Sequence, residues 1–404
     1  MASRKLARRL ERLGTETAYA VSDEANALKA QGKTIFDFHI GDLNFGSPTI
    51  AIDATKKALD DRRVGYCSAQ GILPLREAIA SFTGKERGVE YTADEVCIQP
   101  GGKPVILKFL LATLDEGQGV LYPSPGYPIY ESVINFLGGV PKPYTYKDNG
   151  TTYALDLEGL EASIDDNTKI LIYNSPHNPI GCMGTDEELR KLSELACKYD
   201  LWVLSDEPYF HLVYESPAKS IVSFPGMKER TCLLLTASKS WGMTGWRLGA
   251  AVGPKELISM FMKLSTNDEG CTNHFVQWGC ITVYENQCRD FTDDVIAQLK
   301  ERRDILVSKL NEVPGFSAHV PPSTFYLWVN VTKAFQLLKA TTYEEFRKRL
   351  LQDTGVSFCT REHFGASLPG EQEKFVRFAY SGITKDKIVQ ACDVLKNYMT
   401  SITA

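Results

Sequence analysis

Lys239 lies in the segment Thr236-Ala-Ser-Lys-Ser-Trp-Gly-Met-Thr-Gly-Trp-Arg247, between an apolar run that ends at Leu235 and a second one that comes after it. A lysine among small hydroxyl residues at a strand end can be held beside a phosphorylated ligand. The hydroxyls of Thr236 and Ser238 and the planar fork of Arg247 suit a phosphate. Burial or a neighbouring cation would lower the lysine pKa and leave a neutral amine able to form an imine with an aldehyde.

Four further segments carry chemistry of a matching kind. In Ser205-Asp-Glu-Pro-Tyr209, Asp206 ends an apolar run, where a carboxylate can keep a pyridine nitrogen protonated, and Tyr209 can donate to a ring phenolate. In Asn174-Ser-Pro-His-Asn-Pro-Ile-Gly181, two prolines and a glycine stiffen a loop that presents the Asn178 amide to a cofactor oxygen and a substrate carboxylate. His177 in the same loop reads as structural, because a lysine can serve as the base. In Gln99-Pro-Gly-Gly-Lys-Pro104, Gly102 and Lys103 open an apolar helix whose first N–H groups and dipole attract an anion. That segment is not a nucleotide P-loop, since Cys97 and Pro104 stand where a Gly and a Ser or Thr are required. In Pro123-Ser-Pro-Gly-Tyr127, a proline-rich loop presents an aromatic ring able to stack on a planar ligand. Each segment alone also has an ordinary reading: a polar surface loop, a helix cap at Asp206, a turn at Asn178, loop packing at Tyr127.

The elements between them connect these segments. Apolar runs at 95–99, 119–122, 169–173, 201–205, 231–235 and 248–252 read as strands buried on both faces, alternating with helical patterns. This predicts an α/β fold with a mostly parallel sheet. In such a sheet the carboxyl ends converge on one edge, where ligands bind. All five segments come directly after candidate strands, so one cleft would hold a lysine, a phosphate cup, a ring-nitrogen carboxylate, a stacking aromatic and phenolate donors. That set meets the needs of pyridoxal 5'-phosphate and of few other ligands. Thr185-x-x-Glu188 and Thr342-x-x-Glu345 have the capping-box pattern of helix starts. Past about residue 290 the pattern changes to long helices, near 291–312, 342–352 and 384–400, with short strands between them. We expect a large domain over 47–290 and a smaller α+β domain over 291–404. Residues 1–46 supply an arm and part of the small domain.

Composition narrows the class. The 404 residues are 43% hydrophobic and 24% charged, with a formal net charge of −5. That mix suits a soluble globular protein and argues against nucleic acid as a general partner. No run approaches the ~18 apolar residues of a membrane span, so no membrane partner is expected. Ten cysteines form no CxxC pair, and the six histidines do not cluster at metal-ligand spacing. We read the thiols as reduced and the location as cytoplasmic, with no metal site. The N-terminus, MASRKLARRLERLG, is Arg-rich with Leu6, Leu10 and Leu13 at helical spacing. Glu11 weighs against a transit peptide, which favours a helix packed on the protein.

With these motifs in place, the chain resembles the class I/II aminotransferases of fold type I, in the branch that includes bacterial aspartate-type enzymes, from about Ile35 to the C-terminus. The resemblance implies a large domain with a mostly parallel seven-stranded sheet sandwiched by helices, plus a smaller α+β domain. It implies Lys239 as the Schiff-base lysine, Asp206 as the partner of the pyridine nitrogen, Asn178 and Tyr209 as donors to the phenolic oxygen, and Tyr127 as the stacking ring. Gly102 and Lys103 fall where backbone amides bind phosphate, joined by Thr236, Ser238 and Arg247. Tyr66, in Gly65-Tyr-Cys-Ser-Ala-Gln-Gly71, resembles the tyrosine that reaches the phosphate of a neighbouring subunit, which implies a homodimer with shared sites. Arg377, in Phe375-Val-Arg-Phe, resembles the arginine that grips the substrate α-carboxylate, and Gly41 would offer its amide to the same group.

The expected reaction moves the α-amino group of an L-amino acid to a 2-oxo acid. Three features depart from the family pattern: Ile180 in place of Thr or Ser, Trp241-Gly242 after the lysine, and the acidic segment Asn267-Asp-Glu-Gly270. No residue presents itself for a dicarboxylate side chain. If Glu16, Asp268 or Glu269 lined the side-chain pocket, a cationic, arginine-like substrate would be favoured. Elimination, cyclisation or oxidation is then the alternative outcome. A non-catalytic protein on the same fold would be expected to have lost the lysine, the aspartate or the arginine, and all three are present.

Overall fold

Apolar residues alternate between two faces along the central strands, and each face meets its own helices. Ile170, Ile172, Leu204 and Leu234 pack with Val105, Ile106 and Phe109 of the helix Lys103–Thr113. Leu121, Leu171 and Val203 point the other way, onto Leu189 and Leu192 of the helix Asp186–Lys198. Full burial of each such side chain contributes about 1.5–3 kcal/mol. The computed structural model describes residues 6–285 and 288–403.

The sheet so formed has seven strands, in the spatial order Val96–Gln99, Gly249–Val252, Thr231–Thr236, Trp202–Asp206, Thr168–Asn174, Gly119–Pro123 and Val140–Tyr144. Gly249–Val252 runs antiparallel to both neighbours and the other pairings are parallel. This is the mostly parallel seven-stranded α/β sheet expected. Six of its strands match the apolar runs to within a residue or two. Glu95 is outside its strand because it closes a capping box with Thr92. The seventh strand, Val140-Pro-Lys-Pro-Tyr144, was not among the predicted ones. Two prolines remove ladder donors, which is tolerated at a sheet edge.

A second core gathers Leu299, Leu306, Val329, Phe378 and Leu395 around a four-stranded antiparallel sheet. Its helices are Arg289–Leu310, Tyr343–Thr354 and Lys385–Thr403. Phe36 and Phe38 belong to this core, and Phe36–Asp37 pairs in parallel with Val356–Ser357. The box at Thr185 is complete. At Thr342 only half of it forms: Thr342 accepts from the Glu345 N–H, but the Glu345 carboxylate turns to Thr341.

The N-terminus differs from expectation. Met1–Lys5 lie outside the described residues. Arg8–Arg12 form a short 3-10 turn, and Leu6, Leu10 and Leu13 are exposed. The turn touches the protein through Arg12, which donates to the Phe136 carbonyl at 3.4 Å. The first long helix is Ala18–Ala30.

Arg87, at the end of the helix Leu73–Arg87, forms a buried ion pair with Glu207 at 2.8 Å and lies 4.0 Å from the Phe210 ring centroid. Glu207 also accepts from Ser205 and Ser220. This network fixes the loop after Asp206. Arg87→Ala leaves the Glu207 carboxylate buried without its cation, with an expected loss of about 3–5 kcal/mol. Chemical denaturation of the variant against the parent checks this, and a loss under about 1 kcal/mol would contradict it.

Candidate active site

The carboxyl ends of Val96–Gln99, Gly119–Pro123, Thr168–Asn174, Trp202–Asp206 and Thr231–Thr236 open into one cavity of about 600 Å³. It is lined by Gly41, Gly102, Lys103, Tyr127, Asn178, Asp206, Tyr209, Thr236, Ser238, Lys239, Arg247 and Arg377. Every site residue predicted from sequence is therefore there except Tyr66, which is 95% exposed and outside the cavity.

Lys239 is carried on the four-residue helix Ala237–Ser240, which Thr236 caps by accepting from the Ser238 N–H. Its Nζ donates to the Gly41 carbonyl at 2.8 Å. Gly41 thus meets the lysine through its carbonyl. A Cβ at Gly41 would run into the Tyr326 hydroxyl. Burial lowers the Lys239 pKa to about 8; Asp42 opposes the shift, and Arg377 adds to it.

Asp206 is buried, and Tyr130 donates to its Oδ2. Its Oδ1 is buried with no hydrogen-bond partner among the described residues. Burial pushes the carboxyl pKa up to about 7, against the Tyr130 hydrogen bond and with help from Glu207. A desolvated carboxylate with one free oxygen is the natural partner of a cationic N–H. Tyr209 lies 3.0 Å from the Tyr326 hydroxyl, and burial holds its pKa well above the ordinary value, so it stays a donor.

At the opposite wall Gly102 caps the helix Lys103–Thr113, whose first N–H groups lack intrahelical acceptors. Gly101 has φ +102°, and a Cβ there would run into the Arg247 guanidinium. The Thr236 hydroxyl donates to Ser238 Oγ at 2.9 Å. Two hydroxyls, a guanidinium and a helix N-terminus therefore face one corner, which is chemistry for a phosphate.

Arg377 is 5% exposed. It donates to Asn178 Oδ1 and to the His39 carbonyl, both at 2.9 Å, while its Nε has no partner among the described residues. Tyr326 and Phe364 flank it, with ring centroids 4.3 and 4.6 Å away. A guanidinium so held keeps a donor for a ligand carboxylate.

The sequence profile of aminotransferase class I and II matches residues 33–395. The chain belongs to the class I and II aminotransferases. It is 30% identical to the probable aspartate/prephenate aminotransferase of Aquifex aeolicus, over 98% of this chain and 99% of that one. It is 29% identical to the aspartate aminotransferase of Musicola paradisiaca, over 99% and 98% of the two chains. Its structure is similar to a single mutant of the Thermus thermophilus aspartate aminotransferase, with a TM-score of 0.90, 29% identity, and coverage of 98% and 100%. It is also similar to the N-succinyldiaminopimelate aminotransferase of Mycobacterium tuberculosis, at a TM-score of 0.89 and 26% identity over 97% and 100%. The protein is thus an aminotransferase of fold type I, moving an amino group from an amino acid to a 2-oxo acid. Among the described residues no helix is long and apolar enough to cross a membrane.

Other residues of this aminotransferase site escaped sequence reasoning. Tyr130 sits three residues past Tyr127, in the first turn of the helix Ile129–Leu137, so its place beside Asp206 had a local signal. Tyr326, Phe364 and Tyr19 reach the cavity from distant segments and had none. Of the three carboxylates considered for the side-chain pocket, only Glu16 lines the cavity. Asp268 and Glu269 do not; Glu269 instead pairs with the buried Lys108 at 2.5 Å. His177 is buried, lies 4.5 Å from the Tyr146 ring and does not line the cavity.

Proposed function

We propose that the cavity holds pyridoxal 5'-phosphate on Lys239 and acts on L-amino acids and 2-oxo acids. The observation that carries this is one cavity containing a lysine amine of lowered pKa, the unpaired buried Oδ1 of Asp206 and the unpaired Nε of Arg377. These residues fit the cofactor. Asp206 would hold the proton on its ring nitrogen, Tyr209 and Asn178 would donate to its phenolic oxygen, and Tyr127 would face its ring. The Gly102–Lys103 helix end, Thr236, Ser238 and Arg247 would hold its phosphate. When bound, the cofactor supplies an aldehyde that captures the amino group and a ring that accepts the electrons left at Cα.

The residues of the chain do the rest. Arg377, fixed by Asn178, binds the substrate α-carboxylate and sets the direction of the Cα–H bond. Lys239 Nζ, whose pKa is lowered to about 8 so that a neutral fraction is present near neutral pH, takes that proton and later returns one. Buried walls keep water from competing for it. Because donor and acceptor use one site in turn, ping-pong kinetics are expected. Tyr66, with Val64 also exposed beside it, supports a homodimer in which the tyrosine serves the partner's site. Ten unpaired cysteines support a cytoplasmic location. The core shared by Phe36, Phe38 and the C-terminal elements supports a small domain built from 1–46 and 291–404, against a large one over 47–290.

The test is to mix the purified protein with pyridoxal 5'-phosphate, reduce with borohydride and map the adduct. We expect modification at Lys239, and amino transfer to 2-oxoglutarate before reduction. Adducts scattered over surface lysines, with no transfer, would overturn the proposal. Because the amine is neutral only above its pKa, reductive trapping should rise with pH around a midpoint near 8. A midpoint near 10.5, the ordinary lysine value, would show that burial does not act as stated.

A further inference from the structure

Among the described residues, four cations of lysine or arginine line the cavity: Lys103, Lys239, Arg247 and Arg377. The proposed function engages the last three with the cofactor, its phosphate and the α-carboxylate, and the role inferred for the first rests on that reading. His39 and His363 are neutral there, since burial lowers the pKa of each to about 4. Lys103 is the cation left for a substrate side chain, and it is already occupied. Glu16 Oε2 lies 2.6 Å from its Nζ and also accepts from the Tyr127 hydroxyl at 3.3 Å. The Lys103 Nζ lies 5.9 and 5.7 Å from the ring centroids of Tyr19 and Tyr127.

Glu16 comes from the segment before the helix Ala18–Ala30, whose Tyr19 also lines the cavity. The Glu16 side chain is 23% exposed against 44% for Lys103, and both residues line the cavity. An incoming side-chain carboxylate would find the cation taken and an anion in its way. An incoming ammonium or guanidinium would find the anion taken and a cation beside it. A carboxamide can donate to Glu16 and accept from Lys103 without separating them.

We propose that the Glu16–Lys103 pair determines substrate specificity, excluding dicarboxylic amino acids and admitting uncharged side chains, carboxamides above all. This differs from what the names of the aspartate aminotransferases above say of those proteins. Like-charge contact discriminates by raising the free energy of the wrong complex, and partial solvent exposure moderates the effect. We therefore expect about a tenfold effect rather than an absolute exclusion.

Calorimetry on the holoenzyme with succinate and with its monoamide, succinamate, tests this without relying on turnover. The parent should bind succinamate more tightly than succinate. Glu16→Gln should shift that ratio toward succinate by about tenfold, with Lys103 released. Adding Lys103→Gln to Glu16→Gln should abolish the gain. In turnover, kcat/KM for L-aspartate relative to L-asparagine should move the same way. A parent that prefers succinate overturns the proposal. So does a Glu16→Gln effect equal for both ligands, which would mark Glu16 as merely structural. If no amino acid is transaminated while the calorimetric shift appears, the functional reading falls and the Glu16 assignment stands.

Discussion

Lys239→Ala is expected to lower kcat for amino transfer by about 10⁴-fold, the upper end of what a positioned general base contributes. Two roles are lost at once, since the same Nζ would both hold the cofactor and move the Cα proton. The absorbance of lysine-bound cofactor should vanish, even though the phosphate corner and Asp206 remain to bind it. Lys239→Arg separates charge from basicity. It keeps a cation near the Gly41 carbonyl, but a guanidinium does not give up its proton in a protein. Its rate should therefore match that of Lys239→Ala. An exogenous primary amine should recover part of the rate in the alanine variant, where space has been opened, and none in the arginine variant. Single-turnover absorbance with one amino acid checks all three. An alanine variant retaining a tenth or more of the parent rate would remove Lys239 from the proton transfer, since a positioned base contributes at least about 10²-fold.

How much of this was legible in the sequence is decided by the sheet. Strands buried on both faces read as apolar runs, and the residue after each run is then placed by topology alone. That is why Gly102, Tyr127, Asn178, Asp206 and Lys239 could be assigned to one edge before any coordinates. Val140–Tyr144 was missed because its prolines suit an edge strand and break the apolar pattern used to find the others. Tyr326, Phe364 and the Glu16–Lys103 pairing were missed for another reason. They arise from packing of the second core and the N-terminal segment against the sheet, and no local spacing encodes that. Glu269 shows the opposite error. Its charge suggested a pocket role, yet it neutralises Lys108, whose side chain is 2% exposed. A buried lysine needs a counter-charge, so charge alone did not locate function.

Asp206→Asn should have opposite effects on activity and on stability, which makes it more informative than a simple loss. In the loaded enzyme proposed above Asp206 would face a cationic N–H, and removing one partner of a buried pair costs about 3–5 kcal/mol. The expected fall in kcat/KM is about 10²–10⁴-fold. Asp206→Glu should not restore it, because Tyr130 already fixes Oδ2 and the longer chain cannot keep both contacts. Without cofactor the sign reverses. The carboxyl pKa is raised in the folded chain to about 7, so between about pH 4 and 7 the folded state binds more protons than the unfolded one. Stability from this group is present at low pH and is lost as pH rises through 7. Asparagine has no such dependence. At pH 8 the cofactor-free variant should therefore be more stable than the parent, by up to about 4 kcal/mol, and the difference should shrink toward pH 4. Adding pyridoxal 5'-phosphate should stabilise the parent more than the variant. Denaturation at pH 5 and pH 8, with and without the cofactor, checks each sign. A variant less stable than the parent at pH 8 without cofactor would mean that the free Oδ1 of Asp206 already has a cationic partner from this chain, and the case for a ring nitrogen there would fail.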